Sequence, residues 1–350
     1  MATADYWSSA DMKAVERGGI VAEDVMGEIW DISAVPLPLS DAIGTDSVKN
    51  SSPTWTQDKL AAPDITNAVV DGQDNTKNNA KGGARVGNEC QISTKAVTVT
   101  TRAQNSDMIG ASNALAYNIM MRQRELRRDV EAIMCGAQGS QVDDGDTTPG
   151  LSAGLAAWMT SNFIGGVGAA AGGYDTGTGL VDAPTPGLAA PITETGIRDI
   201  MQSIYELGGS ATMLMSGPPM IRRISEYMFT DGARIATLTS DQGKSTEKAA
   251  ALGAVNVFVT DFGTLTMTAN ILQQTVDDAT PVTALPVFDV FILDTGLIRQ
   301  GLLHGYRTEP LAKTGLADKR QMAVDWTLKM LNEEGCGVIR DADPAQAMVA

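Results

Sequence analysis

The chain has 350 residues, of which 43% are hydrophobic, so it can bury a substantial core in one large or two medium domains. Its 42 acidic residues exceed its 26 basic residues, and the net charge of -16 argues against tight binding to a nucleic-acid backbone, which requires clustered lysine and arginine. Three widely spaced cysteines favour neither a disulfide framework nor a zinc site and are typical of a reducing cytoplasm, and no stretch is typical of a signal peptide or a membrane span.

Residues 1–52 are predicted to form an amino-terminal arm. They contain short apolar patches and the stretch VPLPLS, in which Pro36 and Pro38 favour extended backbone. Ordering such a segment costs on the order of 1–2 kcal/mol per residue. Because the arm has little apolar surface of its own, we expect it to lie on another part of the assembly.

Residues 53–102 are predicted to form a long β-hairpin. SPTWTQDKL (52–60) and the β-branched run QISTKAVTVTTR (91–102) are the candidate strands, and the Asn- and Gly-rich DGQDNTKNNAKGG (71–83) lies between them as the tip. Such a hairpin is exposed to solvent on both faces and has little core of its own.

A long helix is predicted from Gln104 to about Cys135, roughly 48 Å at 1.5 Å per residue. Leu115, Ile119, Leu126, Val130 and Ile133 recur at helical spacing. The charged residues of this segment fall mostly on other faces: Arg122, Arg124, Arg127, Arg128 and Glu131.

Residues 136–192 are rich in glycine and contain one short helical candidate, GLAAWMTSNFI (154–164), which suggests surface loops or intersubunit contacts. An αβα unit is predicted next: a helix from about Thr195, a strand at 211–216 and a helix beginning near Pro218. A hairpin over 254–270 with its turn at Asp261-Phe262-Gly263 follows, and then a strand at 287–293.

The clearest element is the last strand, MAVDWTLKM (322–330). Every second residue from Met322 to Met330 is apolar, and the residues between them are small or polar, in strict period two. This pattern predicts a long strand with one buried face.

Several short motifs resemble enzyme signatures when they are read alone. Lys313-Thr314-Gly315 is found beside the catalytic serine of some hydrolases, but the upstream match Ser245-Thr246-Glu247-Lys248 lies in a polar stretch and no S-D-N loop separates the two. Asp261-Phe262-Gly263 lacks the other kinase motifs and is predicted to be a hairpin turn. We therefore interpret both triplets as turns.

Cofactor and metal sites are equally weak in the sequence. The G-x-G-x-x-A match that begins at Gly166 is followed by GGYDTGTG, which cannot be the required helix. His304 is the single histidine, and the pairs Asp143-Asp144 and Asp277-Asp278 lie in polar loops, where solvation is the usual explanation and calcium binding the alternative. We predict no catalytic residue, no cofactor and no metal.

Basic residues of the hairpin form a local positive region on an acidic chain. They are either a solvated loop or a contact with an acidic patch on a neighbouring copy. The predicted assembly contacts are Trp55, Lys59, Lys77, Lys81, Arg85, Lys313 and Arg320.

The order of these elements resembles the Hong Kong 97-type fold of tailed-bacteriophage major capsid proteins. Over about residues 50–340 the local sequence is also similar to a phage major head protein family, at SPTWTQDKL, QISTKAVTV, RELRRDVEA, GGVGAAAGG, SDQGKSTEKAA to VNVFVTDFGTLT, and EPLAKTGLADKRQMAVDWTL. The resemblance implies an α+β fold.

The same resemblance implies a division of the chain into parts. These parts are an arm at 1–52, an extended E-loop at 53–102, the spine helix of a P domain at 103–138, an A domain at 139–305, and a P-domain return strand with the carboxy-terminal tail at 306–350. The arm is too short and too proline-broken to be the long helical scaffold of some relatives. Residues of the covalent Lys–Asn cross-link found in others cannot be matched.

As a function, the resemblance implies a virion protein that self-assembles as hexamers and pentamers into an icosahedral head around double-stranded DNA. Assembly would take place in the host bacterial cytoplasm, with a portal protein and scaffold or decoration proteins as partners, without sequence-specific DNA binding and without a membrane. The alternatives are another phage structural protein, such as a decoration or tail component, and a serine hydrolase that uses the Lys313-Thr314-Gly315 region.

Overall fold

The computed structural model describes residues 36–72, 74, 82–106, 113–230, 256–273, 287–313 and 315–349. The first half of the described chain contains four helices, α1 to α4, and seven strands, β1 to β7. In chain order these are α1 Pro38–Ala42, β1 Gly44–Ser47, β2 Thr54–Gln57, β3 Ala84–Gly87, β4 Gln91–Thr100, α2 Thr101–Asn105, α3 Ala114–Met134, α4 Leu155–Trp158, β5 Phe163–Ile164, β6 Gly173–Asp175 and β7 Leu180–Asp182.

The second half is richer in long strands. Its elements are α5 Glu194–Glu206, β8 Met213–Ser216, α6 Pro218–Thr230, β9 Val257–Thr260, β10 Gly263–Ala269, β11 Phe288–Leu293, β12 Ile298–Pro310, β13 Ala317–Met330 and β14 Gly337–Ala342, with 3₁₀ turns at Thr295–Leu297 and Glu333–Gly335. None of the described helices has the length and apolar character that a membrane crossing requires.

The first of two main sheets has four strands in the order β1-β12-β13-β4, and its centre is the predicted closing strand. Met322, Val324, Trp326, Leu328 and Met330 of β13 are all buried, so the period-two pattern is confirmed. Helix α3 packs on this sheet, and the larger of two hydrophobic clusters includes both of them together with residues of β8, β11 and β14.

The pairing of the predicted hairpin differs from the expectation. Gln91–Thr100 pairs along its whole length with β13, and β2 pairs instead with the short strand β3, with Thr54 opposite Gly87. The long β-branched run buries Val97 and Val99 within the four-stranded sheet, whereas β2 offers only four residues for pairing. The described hairpin is therefore limited to residues 54–87, and its two strands form a separate two-stranded sheet.

The second main sheet has six strands in the order β5-β14-β11-β8-β10-β9. Helices α5 and α6 cover one face of this sheet through the second hydrophobic cluster. Strand β14, which lies within the predicted segment 306–350, belongs to this sheet, so that segment contributes to both sheets. Residues 331–336 are the connection between them.

The predicted helices, strands and turn in the second half of the chain agree more closely with the structure than those in the first half. The helix after Thr195, the strand before Ser216, the strand at 288–293 and the hairpin 257–269 are confirmed, and Gly263 after the turn has a φ of 155°.

Two predictions near the amino-terminal half were inexact. The long helix begins at Ala114, where the Asn113 side chain accepts a hydrogen bond from the Ala116 backbone N–H, and α2 is a separate short helix. Pro38 begins helix α1 instead of prolonging an extended segment, because proline fits the first helical turn, where no intrahelical partner is needed for its missing N–H.

Candidate functional site

The base of the β2–β3 hairpin is anchored inside the subunit by Trp55. Its Nε1 donates a hydrogen bond of 2.9 Å to the backbone oxygen of Met330, at the end of the central strand β13. Its ring lies 5.5 Å from the ring of Trp158, which is fully buried and stacks in turn on Tyr174 at 6.5 Å. Trp55, one of the predicted assembly residues, is thus half-buried, and its described contacts are with residues of its own chain.

Lys59 and Arg85, two further predicted contacts, also have partners in the subunit. The Lys59 Nζ lies 2.9 Å from a carboxylate oxygen of Glu334, in the connection between the two main sheets. The Arg85 guanidinium donates hydrogen bonds of 2.7 and 3.0 Å to the Thr54 hydroxyl on the facing strand. Both side chains remain largely exposed, so they can still contact a neighbouring copy. Lys77 and Lys81 lie outside the described residues.

A cleft of about 270 Å³ separates the hairpin base from the connection. Its walls are Gln57, Asp58, Lys59, Gly82, Gly83 and Ala84 on the hairpin side and Asn332, Glu333 and Glu334 on the other. Glu333 is already occupied as an acceptor for the backbone N–H groups of Thr160 and Ser161. The cleft therefore marks where the hairpin rests on the junction of the two sheets.

Just beyond this base the chain leaves its apolar side chains in solvent. We name residues 58–72 the excursion. Leu60 and Ile65 are 96% and 97% exposed, and Val69 and Val70 are also exposed. Exposed apolar side chains this close together are typical of a surface for contact with another molecule.

A second apolar surface lies at the outer edge of the six-stranded sheet. Val257 and Val259 of the edge strand β9 are exposed, while the alternate residues Phe258 and Thr260 are buried. Next to the turn, the ring of Phe262 lies 5.4 Å from the ring of Tyr205, and both rings are partly open to solvent. An edge strand with outward valines is open to pairing or packing with another chain.

The tip of the β12–β13 hairpin contains the last two predicted contacts. The Lys313 Nζ lies 2.5 Å from the Asp318 carboxylate, and the neighbouring Leu316 is 86% exposed. Arg320 is half-buried within β13, opposite Val97 and Pro310. Lys313 is thus an inter-element contact, as expected for a solvated turn. No described contact makes it part of a catalytic group.

The described residues do not support the dinucleotide-binding interpretation of the match that begins at Gly166. Gly166 and Gly187 donate their backbone N–H groups to one oxygen of the buried Asp341, and the glycine-rich segment continues into strand β6 instead of a helix. The Gly166 match therefore builds a loop packed on β14. Residues 245–248 and Thr314 lie outside the described part of the chain.

Metal and thiol chemistry find no site in the described residues. Asp144 accepts backbone N–H groups from Asp146, Thr147 and Thr148, and these bonds hold its pKa well below the usual range, so its carboxylate organises its own loop. No cluster of three or more potential metal ligands occurs in this part of the chain. Burial raises the pKa of the Cys90 and Cys336 thiols to about 12, which makes them poor nucleophiles.

His304, the single histidine, is exposed in an irregular part of β12 and faces Asp325 across the sheet. Burial raises the pKa of Asp325, and the nearby His304 and Arg307 oppose that shift. No nucleophilic side chain is hydrogen-bonded to this histidine among the described contacts. The pair is a strand contact.

A buried carboxylate and a buried ion pair were not anticipated from the sequence. Glu131, expected on a polar face of the long helix, is completely buried and accepts four hydrogen bonds. Asp289 and Arg340 face each other at 3.6 Å in the interior of the six-stranded sheet. Burial, opposed by Arg340, raises the pKa of Asp289 to about 7. The only sequence signal was a charge at the edge of an apolar stripe or within an apolar strand.

Comparison with known proteins gives the same fold along almost the whole chain. The sequence profile of the family described as "SU10 major capsid protein" matches residues 7–343. The major capsid protein of Escherichia phage Phieco32 is 26% identical over 214 residues, a match that covers 53% of this chain and 61% of that protein. The chain therefore spans about three-fifths of the length of this curated relative.

Solved structures of shell proteins superpose at low sequence identity. The capsid of cyanophage P-SCSP1u has a TM-score of 0.55 at 12% identity, with 97% of this chain and 99% of that chain covered. The SrpI encapsulin of Synechococcus elongatus PCC 7942 has a TM-score of 0.53 at 9% identity, with 95% and 97% covered. Mycobacterium phage Bobi has a TM-score of 0.54 at 11% identity, with 94% and 98% covered. These likenesses concern the fold.

Proposed function

The chain belongs to the family of SU10 major capsid proteins, and we propose that its copies assemble as hexamers and pentamers into the icosahedral head that encloses phage double-stranded DNA. It is a phage major capsid protein with the Hong Kong 97-type α+β fold. What is proposed is the symmetry of the assembly and the nature of its contents and partners.

The observation that carries this proposal is the exposed excursion. Fully burying a leucine or isoleucine side chain is worth roughly 1.5–3 kcal/mol, and the excursion forgoes this within the subunit at Leu60 and Ile65. A shell of many copies repeats each such contact at every subunit. Weak individual contacts then sum to a stable particle, as expected when docking on neighbours completes the core.

The parts of the fold suggest a division of labour. The four-stranded sheet with helix α3 is the proposed P domain, the six-stranded sheet with α5 and α6 is the proposed A domain, and the β2–β3 hairpin with the excursion is the proposed E-loop. In this assignment β4 belongs to the P domain and β14 to the A domain.

The proposed partners are further copies of the chain, a portal protein, and scaffold or decoration proteins, with assembly in the host bacterial cytoplasm. The net charge of -16 supports enclosure of DNA without sequence reading, because phosphates are repelled by an acidic surface. The role is structural and uses no catalytic residue or cofactor. Lys313 and Arg320 would then act as contacts between subunits or elements.

Electron microscopy of the full-length protein under assembly conditions tests this function. The expected result is closed shells with five-fold and six-fold capsomers. Deletion of residues 60–82, which leaves strands β2 and β3 in place, should abolish shells and leave the remaining subunit folded. A protein that stays monomeric under every assembly condition would contradict the shell, and intact shells from the deletion would contradict the E-loop assignment.

A further inference from the structure

Glu131 lies where three separate parts of the fold meet. It belongs to the last turn of the long helix α3, and its side chain has no exposed surface. One oxygen accepts the Leu39 backbone N–H at 2.7 Å, and the other accepts the Ser40 backbone N–H at 2.9 Å and the Ser40 hydroxyl at 2.5 Å. The Asn270 amide donates a further bond of 3.0 Å from the end of strand β10.

All four donors are neutral groups, and they come from two other parts of the fold, helix α1 and the end of strand β10. Burying a carboxylate away from water is costly unless hydrogen bonds compensate it, and a carboxylate is a pure acceptor with room for all four donors. The arrangement therefore fits a side chain that offers only acceptor oxygens. It does not fit a side chain that carries a donor of its own.

Two of these donors are the unsatisfied N–H groups of the first turn of α1. Leu37, which precedes this helix, supplies no side-chain cap. Glu131 caps the helix instead, although it lies 92 positions after Leu39 and 91 positions after Ser40 in the chain. Leu39 is itself completely buried in the larger hydrophobic cluster, and Ile43 leads directly into β1 at the edge of the four-stranded sheet. The cap thus holds the first described segment of the chain on the helix.

The third partner links this joint to the other sheet. Asn270 follows the last residue of β10, its backbone N–H bonds to the Ser216 oxygen at the end of β8, and its amide also approaches the Cys135 sulfur at 3.3 Å. We propose that Glu131 is a positioning residue that fixes the point where the amino-terminal arm joins the subunit and couples that point to the orientation of the six-stranded sheet. Its effect on the shell rests on the proposed function, whereas its effect on the subunit does not.

Hydrogen exchange of the full-length protein, read over residues 36–44, tests the coupling before any shell forms. In Glu131→Gln one oxygen is replaced by an NH₂ that faces a donor, so we expect exchange at Leu39 and Ser40 to accelerate by about tenfold or more. Glu125→Gln, on the same helix but at the surface beside Arg122, should leave exchange unchanged.

Asn270→Ala distinguishes a three-way joint from a simple helix cap, and it also serves if Glu131→Gln does not fold. It removes one donor from the far sheet and leaves α1 untouched, yet exchange over 36–44 should rise by a few-fold. Unchanged exchange in Asn270→Ala would overturn the coupling, and unchanged exchange in a folded Glu131→Gln would overturn the positioning role. Faster exchange together with a failure of the wild-type protein to form shells would refute only the proposed function.

Discussion

The base of the β2–β3 hairpin and the excursion that follows it adjoin in the chain but differ in what they bury. The base places Trp55 against Trp158 and bonds its indole N–H to β13, whereas the excursion leaves Leu60 and Ile65 almost fully exposed. The base is therefore held within one subunit, whereas we propose that the excursion is stabilised by a neighbouring copy. On this proposal, the difference separates residues that fold the subunit from residues that assemble it.

The largest effect on this comparison is expected when the ring on which Trp55 packs is removed. Trp158→Ala should lower the free energy of unfolding of the unassembled subunit by about 3–5 kcal/mol, because a fully buried aromatic ring is lost beneath Trp55 and Tyr174. Urea denaturation measures this. The exposed aromatic Tyr205 is the control, and Tyr205→Ala should cost at most about 1 kcal/mol. Equal losses in both variants would show that the aromatic stack is no anchor.

The buried Asp289 extends the comparison to pH. Its pKa is raised from 3.8 to about 7, so the unfolded chain loses this proton first and the contribution of Asp289 to stability declines as pH rises from about 4 to about 7. The decline is on the order of 4 kcal/mol at most, since one pKa unit corresponds to about 1.4 kcal/mol.

Asp289→Asn resembles the protonated form and should remove this declining component. Urea denaturation of wild type and variant at several pH values between 4 and 8 provides the measurement. Asp175→Asn is a matched control, because that carboxylate is exposed and its pKa is lowered by a backbone hydrogen bond from Gly177, so its contribution has the opposite sign. Parallel pH profiles for wild type and Asp289→Asn would contradict the assignment.

On the excursion the effect should appear only in the shell. Ile65→Ser removes an apolar contact worth roughly 1.5–3 kcal/mol per subunit if a neighbour buries it, while the unassembled subunit should unfold as before. Sedimentation of assembly reactions gives the shell yield, and Ile65→Val, which keeps most of the apolar area, is the control. Normal yield with Ile65→Ser would mean that Ile65 stays in solvent in the particle.

The smallest effect is expected at the ion pair that closes the base. Lys59→Ala should change the unfolding free energy of the subunit by about 0.2–1 kcal/mol, because the Lys59–Glu334 pair is largely exposed. Lys313→Ala removes a more exposed pair, with Asp318, at the tip of the β12–β13 hairpin. If Lys59 also meets a neighbouring copy, its replacement will lower the salt resistance of shells. Identical shells from the wild type and Lys59→Ala at all salt concentrations would exclude that contact.

Exposed residues of the site were accessible to sequence reasoning, and their partners were not. Lysines and arginines in a polar hairpin are expected at the surface, and Lys59, Arg85 and Lys313 are there. Trp55 was predicted to be an assembly contact, and its observed contacts with Trp158 and Met330 depend on residues 103 and 275 positions away. Glu131 was assigned to a polar face of the helix because glutamate is charged. Its burial could not be predicted, since its hydrogen-bond donors lie far away in the chain and no sequence pattern relates them to the helix.

The sequence by itself determined the elements whose reason is local. The period-two run of β13, the turn at Asp261-Phe262-Gly263 and the approximate starts of helices α5 and α6 follow from side-chain alternation, turn chemistry and helix-start signals, which act over a few residues. Only the tertiary structure decided that β4 pairs with β13 and that β14 enters the six-stranded sheet. It also decided that Glu131 bonds to both the amino-terminal segment and Asn270 at the end of β10. Strand partners and buried caps are selected by long-range packing, and many pairings satisfy the same local pattern.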